Sequence, residues 1–356
     1  MQPSSAARAW QALRKLDVEV ALRASVAAVV PLALLLAAGR PEWAPYAAFG
    51  GMAAIFGRRE PYRLRLRTVT AAAAGLLVSV AVGAALAAAE APIGVEAVAL
   101  VGVIAGGILL VNIARLAPPT PLFFVFAVLV CASAPTPPGE LGVRLAVAAA
   151  SAAFAVVVSM SGWGVRRLAP DDVARFKPLE RDAPVDWSAA TRPAVWLNIA
   201  EHAVAAVMAG ALAVLFGIGH PYWAVVTVAA VIPPAGAAHS LTRAWHRVLG
   251  TLGGVAVAAL VLWPGPPDWV LVIVIGVAQF GAEVLVGRHY GAALLFITPL
   301  ALSVAHLAQP VPVGALLVDR VVETLVGCAV AVVAVLGARA VAGGDRRRRA
   351  DPPGLA

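Results

Sequence analysis

Residues 41–75 read PEWAPYAAFGGMAAIFGRREPYRLRLRTVTAAAAG, and residues 221–255 read PYWAVVTVAAVIPPAGAAHSLTRAWHRVLGTLGGV. Each stretch opens on Pro-x-Trp-Ala and continues through a short apolar segment. Each then passes a basic loop and feeds a helix of small residues. At a shift of 180 residues Pro41, Trp43 and Ala44 fall on Pro221, Trp223 and Ala224, while Arg63 and Arg67 fall on Arg243 and Arg247. Spacing held over more than twenty residues reads as an internal repeat rather than as shared composition.

Working outward, apolar runs fall at 19–38, 43–57, 68–89, 94–114, 119–134 and 142–163, then at 195–217, 222–236, 246–263, 268–286, 290–308 and 313–341. Runs of about 20 residues cross the hydrocarbon layer as helices. The second, fifth and eighth are nearer 15, so they must tilt, re-enter or be shielded by neighbours. An even number of spans per half gives both halves one orientation. The expected fold is an all-α membrane protein of about twelve transmembrane helices, arranged as two parallel six-helix repeats about an axis along the membrane normal.

Composition agrees. Apolar residues form 61% of the chain, charged residues 13%, and the mean hydropathy is +0.88, against about 25% charge in soluble domains. The net charge of +8 lies in short loops between apolar runs, which favours membrane anchoring and argues against nucleic acid as a partner. Cys131 and Cys328 sit inside apolar runs and read as free buried thiols. The six histidines show no metal-ligand spacing with them. No phosphate-binding loop, acidic metal motif or nucleophile motif is present, so the chain reads as a non-enzyme without cofactor or metal.

The arginines also orient the chain. With the N-terminus in the cytoplasm, the inner side holds Arg58, Arg59, Arg63, Arg65, Arg67, Arg115, the 164–194 loop, Arg243, Arg247, Arg288 and the tail; the outer side holds Arg40, Arg144 and Arg320. The resulting divisions are a cytoplasmic interfacial segment at 1–18, a first repeat at 19–163, a cytoplasmic linker at 164–194, a second repeat at 195–341, and a basic disordered tail at 342–356. Both termini are expected inside a bacterial inner membrane. The first apolar run mimics a signal peptide, yet an equivalent helix stands mid-sequence in the second half, so it reads as a retained helix.

Three stretches carry a family resemblance. Residues 220–254, HPYWAVVTVAAVIPPAGAAHSLTRAWHRVLGTLGG, resemble the signature of the fusaric acid resistance and aromatic acid exporter family of bacterial membrane proteins. That signature is proline-aromatic-Trp-Ala, a helix ending in proline, and an Arg-x3-Arg loop before Gly-Thr-x-x-Gly. YGAALLFITPLAL (290–302) and DRVVETLVGCAVAVV (319–333) resemble the family's later helices. In the first half Glu42 replaces the aromatic before Trp43, and the Gly-Thr motif after Arg67 is absent. The resemblance implies export of aromatic carboxylates or related small organic acids. Plant malate-type anion channels are similar in the six-helix unit, so a passive organic-anion channel is the alternative, with a membrane-embedded lipid-processing enzyme third.

Candidate substrate-binding residues are the i, i+4 pairs Arg63/Arg67 and Arg243/Arg247, whose guanidinium forks suit carboxylates. The alternative is that they snorkel to headgroups. Short or interrupted helices in corresponding positions point to a substrate path. These are the second, with Gly50 and Gly51, and the eighth, with Pro233 and Pro234, opened by Trp43, Tyr222 and Trp223. Intramembrane ionisable groups supply proton-coupling candidates: Glu283 first, then Glu201, His202, Asp319, Arg320 and Glu323. Two blander readings are that Arg320 and Glu323 neutralise each other and that Glu283 pairs with Arg288. Gly102-x3-Gly106 and Gly250-x3-Gly254 are expected to pack helices closely. Small organic anions, the bilayer, and a homo-oligomer or accessory subunits are the expected partners.

Overall fold

Prolines open many of the helices, where a missing N–H costs nothing. Pro61, Pro92, Pro121, Pro221 and Pro267 stand at the caps of five of them, and Pro193 is the first residue of another. The computed structural model describes residues 18–58, 60–168, 185–232 and 240–350. Among the described residues, twelve α-helices occupy the twelve apolar runs. They are α1 (Val18–Ala37), α2 (Ala44–Gly51), α3 (Tyr62–Ala88), α4 (Ile93–Ile113), α5 (Leu122–Ser133) and α6 (Leu141–Leu168), then α7 (Pro193–Leu215), α8 (Tyr222–Val231), α9 (Ser240–Leu262), α10 (Asp268–Val286), α11 (Tyr290–Ala308) and α12 (Val313–Ala350). No strand occurs among the described residues.

Nine of these helices are long and apolar enough to cross a membrane; the exceptions are α2, α5 and α8. Shielding accounts for α2 and α8. Every residue of α2 is buried, as is every residue of α8 after Tyr222. Beyond Gly51 the chain tightens into a 3₁₀ turn over Met52–Ile55. The buried Arg23 of α1 donates from Nε to the Ala54 carbonyl at 2.9 Å and from Nη2 to that of Phe56 at 2.6 Å. Backbone acceptors freed by the broken helix thus find a partner inside the bilayer, where water cannot supply one.

The outer surface is apolar, as lipid requires. Leu34, Val78, Val98, Val157, Leu260 and Val333 are all exposed. Of the eight tryptophans among the described residues, six are exposed too, at Trp163, Trp187, Trp196, Trp245, Trp263 and Trp269, close to helix ends where an interfacial belt forms. The last helix continues to Ala350, through nine residues expected to be tail; the Arg346–Ala350 run has good helix propensity, while Gly343 and Gly344 do not favour the extension.

Packing in one half has counterparts in the other. α2 packs on α6 as α8 packs on α12; α3 packs on α5 and α6 as α9 packs on α11 and α12. Gly50 lies so close to α6 that an added Cβ would stand 2.4 Å from the Ala148 carbonyl, and Gly327 lies as close to α8, 2.4 Å from that of Ala224. Gly250 and Gly254 pack on α11 as expected, but Gly102 and Gly106 do not serve that purpose, since a Cβ at either would meet nothing.

The halves meet along two seams. At one, α1 lies along α10, with Leu32, Leu35, Leu271 and Ile275 in a shared core. At the other, α4 and α5 meet α7 and α8 through Leu100, Ile104, Val128, Ile199 and Val225. The turns sort to two ends. Trp43 Nε1 bonds Glu140 (3.3 Å) and His220 bonds Asp319 (2.8 Å) at one end. Arg58 with Glu283, and Arg65 with Glu19 at 2.8 Å, mark the other.

Candidate functional site

A cavity of about 560 Å³ opens between the halves at the end marked by Arg58, within the size range of ligand-binding clefts. Five arginines line it, Arg58, Arg115, Arg243, Arg247 and Arg320, against two acids, Glu60 and Glu283. Arg58 is neutralised by an ion pair to Glu283, which also accepts from Gln279 at 3.1 Å. Arg115 lies 3.6 Å from Asp186. Arg243, Arg247 and Arg320, set against Glu60, leave the cavity net positive.

These three descend into the cavity from two helices. Arg243 and Arg247 are one turn apart near the start of α9, and Arg320 comes from α12. Arg243 stands over the Tyr290 ring, with Cζ 5.2 Å from its centroid. Arg247 donates from Nη1 to the Tyr290 hydroxyl (3.2 Å) and from Nη2 to Thr227 (3.4 Å). Arg320 is 1% exposed and lies on the Trp223 ring at 4.0 Å. Arg243 Nε, Arg247 Nε, Arg320 Nε and Nη1, and Trp223 Nε1 are buried donors with no hydrogen-bond partner. Unmet buried donors are costly and call for an acceptor. Phe123 and Phe126 of α5 and Trp223 complete an aromatic wall. Such a cleft offers forked donors to an anion and ring faces to an apolar body.

The deep end is closed by rings. Phe49 and Phe126 meet edge-on at 5.1 Å, Phe126 and Trp223 at 5.0 Å, and Tyr222 and Trp223 at 5.1 Å. Beyond them lies an apolar space of about 40 Å³, lined by Ala28, Phe49, Tyr222 and Val304 among others.

Arg243, Arg247, Trp223, Glu283 and Arg320 are thus brought together. Arg63 and Arg67 are not: both are exposed and off the cavity, while Arg65 between them is buried against Glu19. Helical spacing at an amphipathic helix start does not say which face turns inward. Trp43 is bonded to Glu140 at the opposite end, and Tyr222 lies behind Trp223. Pro233 and Pro234 lie outside the described residues. Glu283 pairs with Arg58 from the α2–α3 loop. Arg320 and Glu323 face the same interior but make no hydrogen bond to each other, since both Glu323 oxygens lack a partner. Asp319 is taken by His220. His202 is buried on α7, its Nδ1 2.9 Å from the Asn198 carbonyl, and Glu201 is half-buried; neither lines the cavity. Sequence reasoning missed Arg58, Tyr290, Phe123 and Phe126. The last two sit on α5, whose shortness was the available signal.

Among the described residues, nine helices long and apolar enough to cross a membrane, with a basic, aromatic-walled cleft between the halves, define a multi-pass helical membrane protein. Within it, residues 205–334, from α7 into α12, match the family model described as fusaric acid resistance protein-like. The chain is 36% identical over 126 residues to the inner membrane protein YccS of Escherichia coli (strain K12), across 33% of this chain and 16% of that protein. It is 36% identical over 133 residues to the uncharacterized protein slr1298 of Synechocystis sp. (strain ATCC 27184 / PCC 6803 / Kazusa), across 35% of this chain and 16% of that one. It is 27% identical over 153 residues to the uncharacterized membrane protein YvaC of Bacillus subtilis (strain 168), across 43% and 23%. Each match spans less than a quarter of the relative's length. No solved structure matches the chain.

Proposed function

We propose that the chain is an inner-membrane transporter that exports small organic acids, aromatic carboxylates foremost, and that it is not an enzyme. The observation that carries this reading is the cleft itself, where Arg243, Arg247 and Arg320 turn buried, unpartnered N–H groups and net positive charge toward aromatic walls. A carboxylate would take the forks, and an aromatic body would lie against Phe123, Phe126 and Trp223. The match of residues 205–334 to a fusaric acid resistance protein-like model supports the same direction.

The two six-helix units are proposed as parallel repeats with both termini and the 164–194 linker in the cytoplasm. Supporting this are the matched helix pairings and the arginines gathered at the end where the cleft opens. A cysteine replacing Ser188 should resist an impermeant thiol reagent in intact cells; its labelling from outside would overturn that topology.

The aromatic closure at the deep end favours alternating access over an open channel. Counterflow decides between them. Proteoliposomes loaded with benzoate should show trans-stimulated uptake of labelled benzoate. Current without trans-stimulation would favour the channel, and neither signal would remove the organic-acid reading. Organic anions and the bilayer are the proposed partners, with a homo-oligomer or accessory subunits left to be measured.

A further inference from the structure

Among the described residues, Glu323 is the only acid whose two carboxylate oxygens are both buried and unpartnered. It lies on α12 one turn beyond Asp319 and Arg320, at i+4 and i+3, so all three share a face. The groups around it come from each packed element. α12 itself gives Arg320 and Asp319. His220, just before α8, and Tyr222, its first residue, face it as well; the titratable groups on the other two helices packed against α12 are Arg243 and Arg247 on α9 and Glu201 and His202 on α7. None bonds it. Asp319 is held by His220 Nδ1 at 2.8 Å, and Arg320 is turned onto Trp223. The His220 backbone amide faces the carboxyl without reaching hydrogen-bonding geometry.

Glu323 also stands between two cavities. Arg320 lines the arginine cleft at one end of the molecule. His220 lines a second cavity, of about 480 Å³, between α3, α4, α5, α7 and α8 at the other end. An ionised carboxylate that is fully buried and unpartnered is costly by several kcal/mol. Two arrangements avoid that cost. With Arg320 turned onto Trp223 beside the cleft, as in the structure, Glu323 can hold a proton; alternatively it can ionise and draw the Arg320 side chain back toward itself. An anion in the cleft competes for the same guanidinium and so favours the first arrangement.

We propose that Glu323 is a proton site coupled to anion binding at Arg320, taking up a proton when the anion binds and releasing it when Arg320 swings back, with His220 and Asp319 as its route to the opposite end. This rests on the anion-binding reading of the cleft. The proton adds to one carboxylate oxygen and leaves from it; no other bond changes.

The test uses the full chain in liposomes, with benzoate as probe and Glu323→Gln as the neutral isostere. Infrared spectra at neutral pH should contain a protonated-carboxyl band that is lost in E323Q; without that difference the proposal fails, whatever the ligand. Benzoate affinity for the wild type should fall up to about tenfold per pH unit once Glu323 begins to ionise, while E323Q binds with an affinity independent of pH. Because E323Q mimics the neutral form, it should unfold no more easily than the wild type, and a large loss of stability would mean that an ionised Glu323 holds the fold. Equal pH profiles in the two proteins would overturn the coupling. No benzoate binding to wild type would overturn the carboxylate reading and the coupling with it, yet leave the buried proton visible in the infrared.

Discussion

In α1–α6 the buried arginines are tied into the wall. Arg23 caps the frayed end of α2, Arg65 reaches Glu19, and Arg144 bonds Glu140 (2.8 Å), Thr136 (3.0 Å) and the Pro135 carbonyl (2.8 Å) with Tyr46 beside it. In α7–α12 the arginines at comparable places, Arg247 near the start of α9 and Arg320 early in α12, have no acidic partner and border the cleft. One helix arrangement thus carries two uses of the same residue. Where the guanidinium is satisfied by the protein, it holds helices together; where its donors are left open, it awaits a ligand.

The sharpest way to break that contrast is to make one substitution in both halves. Arg144→Met should lower stability measurably, because it leaves the buried Thr136 and Tyr46 hydroxyls and the Pro135 carbonyl without their donor. Arg320→Met should leave stability unchanged or raised and abolish benzoate binding. Thermal unfolding followed by a thiol-reactive dye, reading Cys131 and Cys328 as they emerge from the core, measures the first effect. Equal destabilisation by both would erase the distinction.

A gentler substitution sharpens it. Arg247→Lys keeps the charge but loses the fork, and should weaken benzoate binding by about ten- to a hundredfold, some 1.5–3 kcal/mol. Arg63→Lys and Arg67→Lys, at the exposed counterparts, should change nothing. Normal binding by the Arg247 variant at normal expression would return that residue to a structural role.

Where the halves are alike, they should fail alike. Gly50→Ala and Gly327→Ala each drive a methyl into a facing carbonyl, and each should cost about 1–3 kcal/mol. A marked difference between them would weaken the repeat.

The smallest effect lies at the junction between the halves. Asp186 has its carboxyl pKa lowered, first by the Ser188 hydroxyl at 2.6 Å and then by Arg192 and, farther off, Arg115. A lowered folded pKa gives stability that is present above the usual carboxylate value near 3.9 and is lost as pH falls through the folded value. Wild type should therefore lose a slight stability advantage over Asp186→Asn below about pH 4, and part of it in high salt at neutral pH. A melting temperature that tracks the variant at every pH would remove Asp186 from the junction.

All twelve helix positions were legible, because a bilayer demands long apolar runs and proline and glycine mark their ends. The three short helices were legible for the same reason. Of the site, Arg243, Arg247, Trp223 and Arg320 could be read from spacing and from charge inside apolar runs. The facing was not legible: Arg63, Arg65 and Arg67 alternate over one helical turn, and only the packing of α3 on α6, with Glu19 of α1 as ion-pair partner, selects Arg65. Partners across the halves were hidden as well. Arg58 meets Glu283 from 225 residues away, and no local pattern encodes that distance. Phe126 reads as one more apolar residue until α5 stands beside α8.

The two seams between the halves also bear on where charge can collect. Exchanging the halves turns the α1–α10 contact into α7–α4, and the α2–α11 contact into α8–α5. Two identical halves in that arrangement would have identical seams. Halves of unlike sequence are free of that constraint. One seam closes, as along α1 and α10, while the other leaves the cavity of about 480 Å³ beside α4 and α7. Unlike halves in one frame can therefore hold a one-sided set of charges.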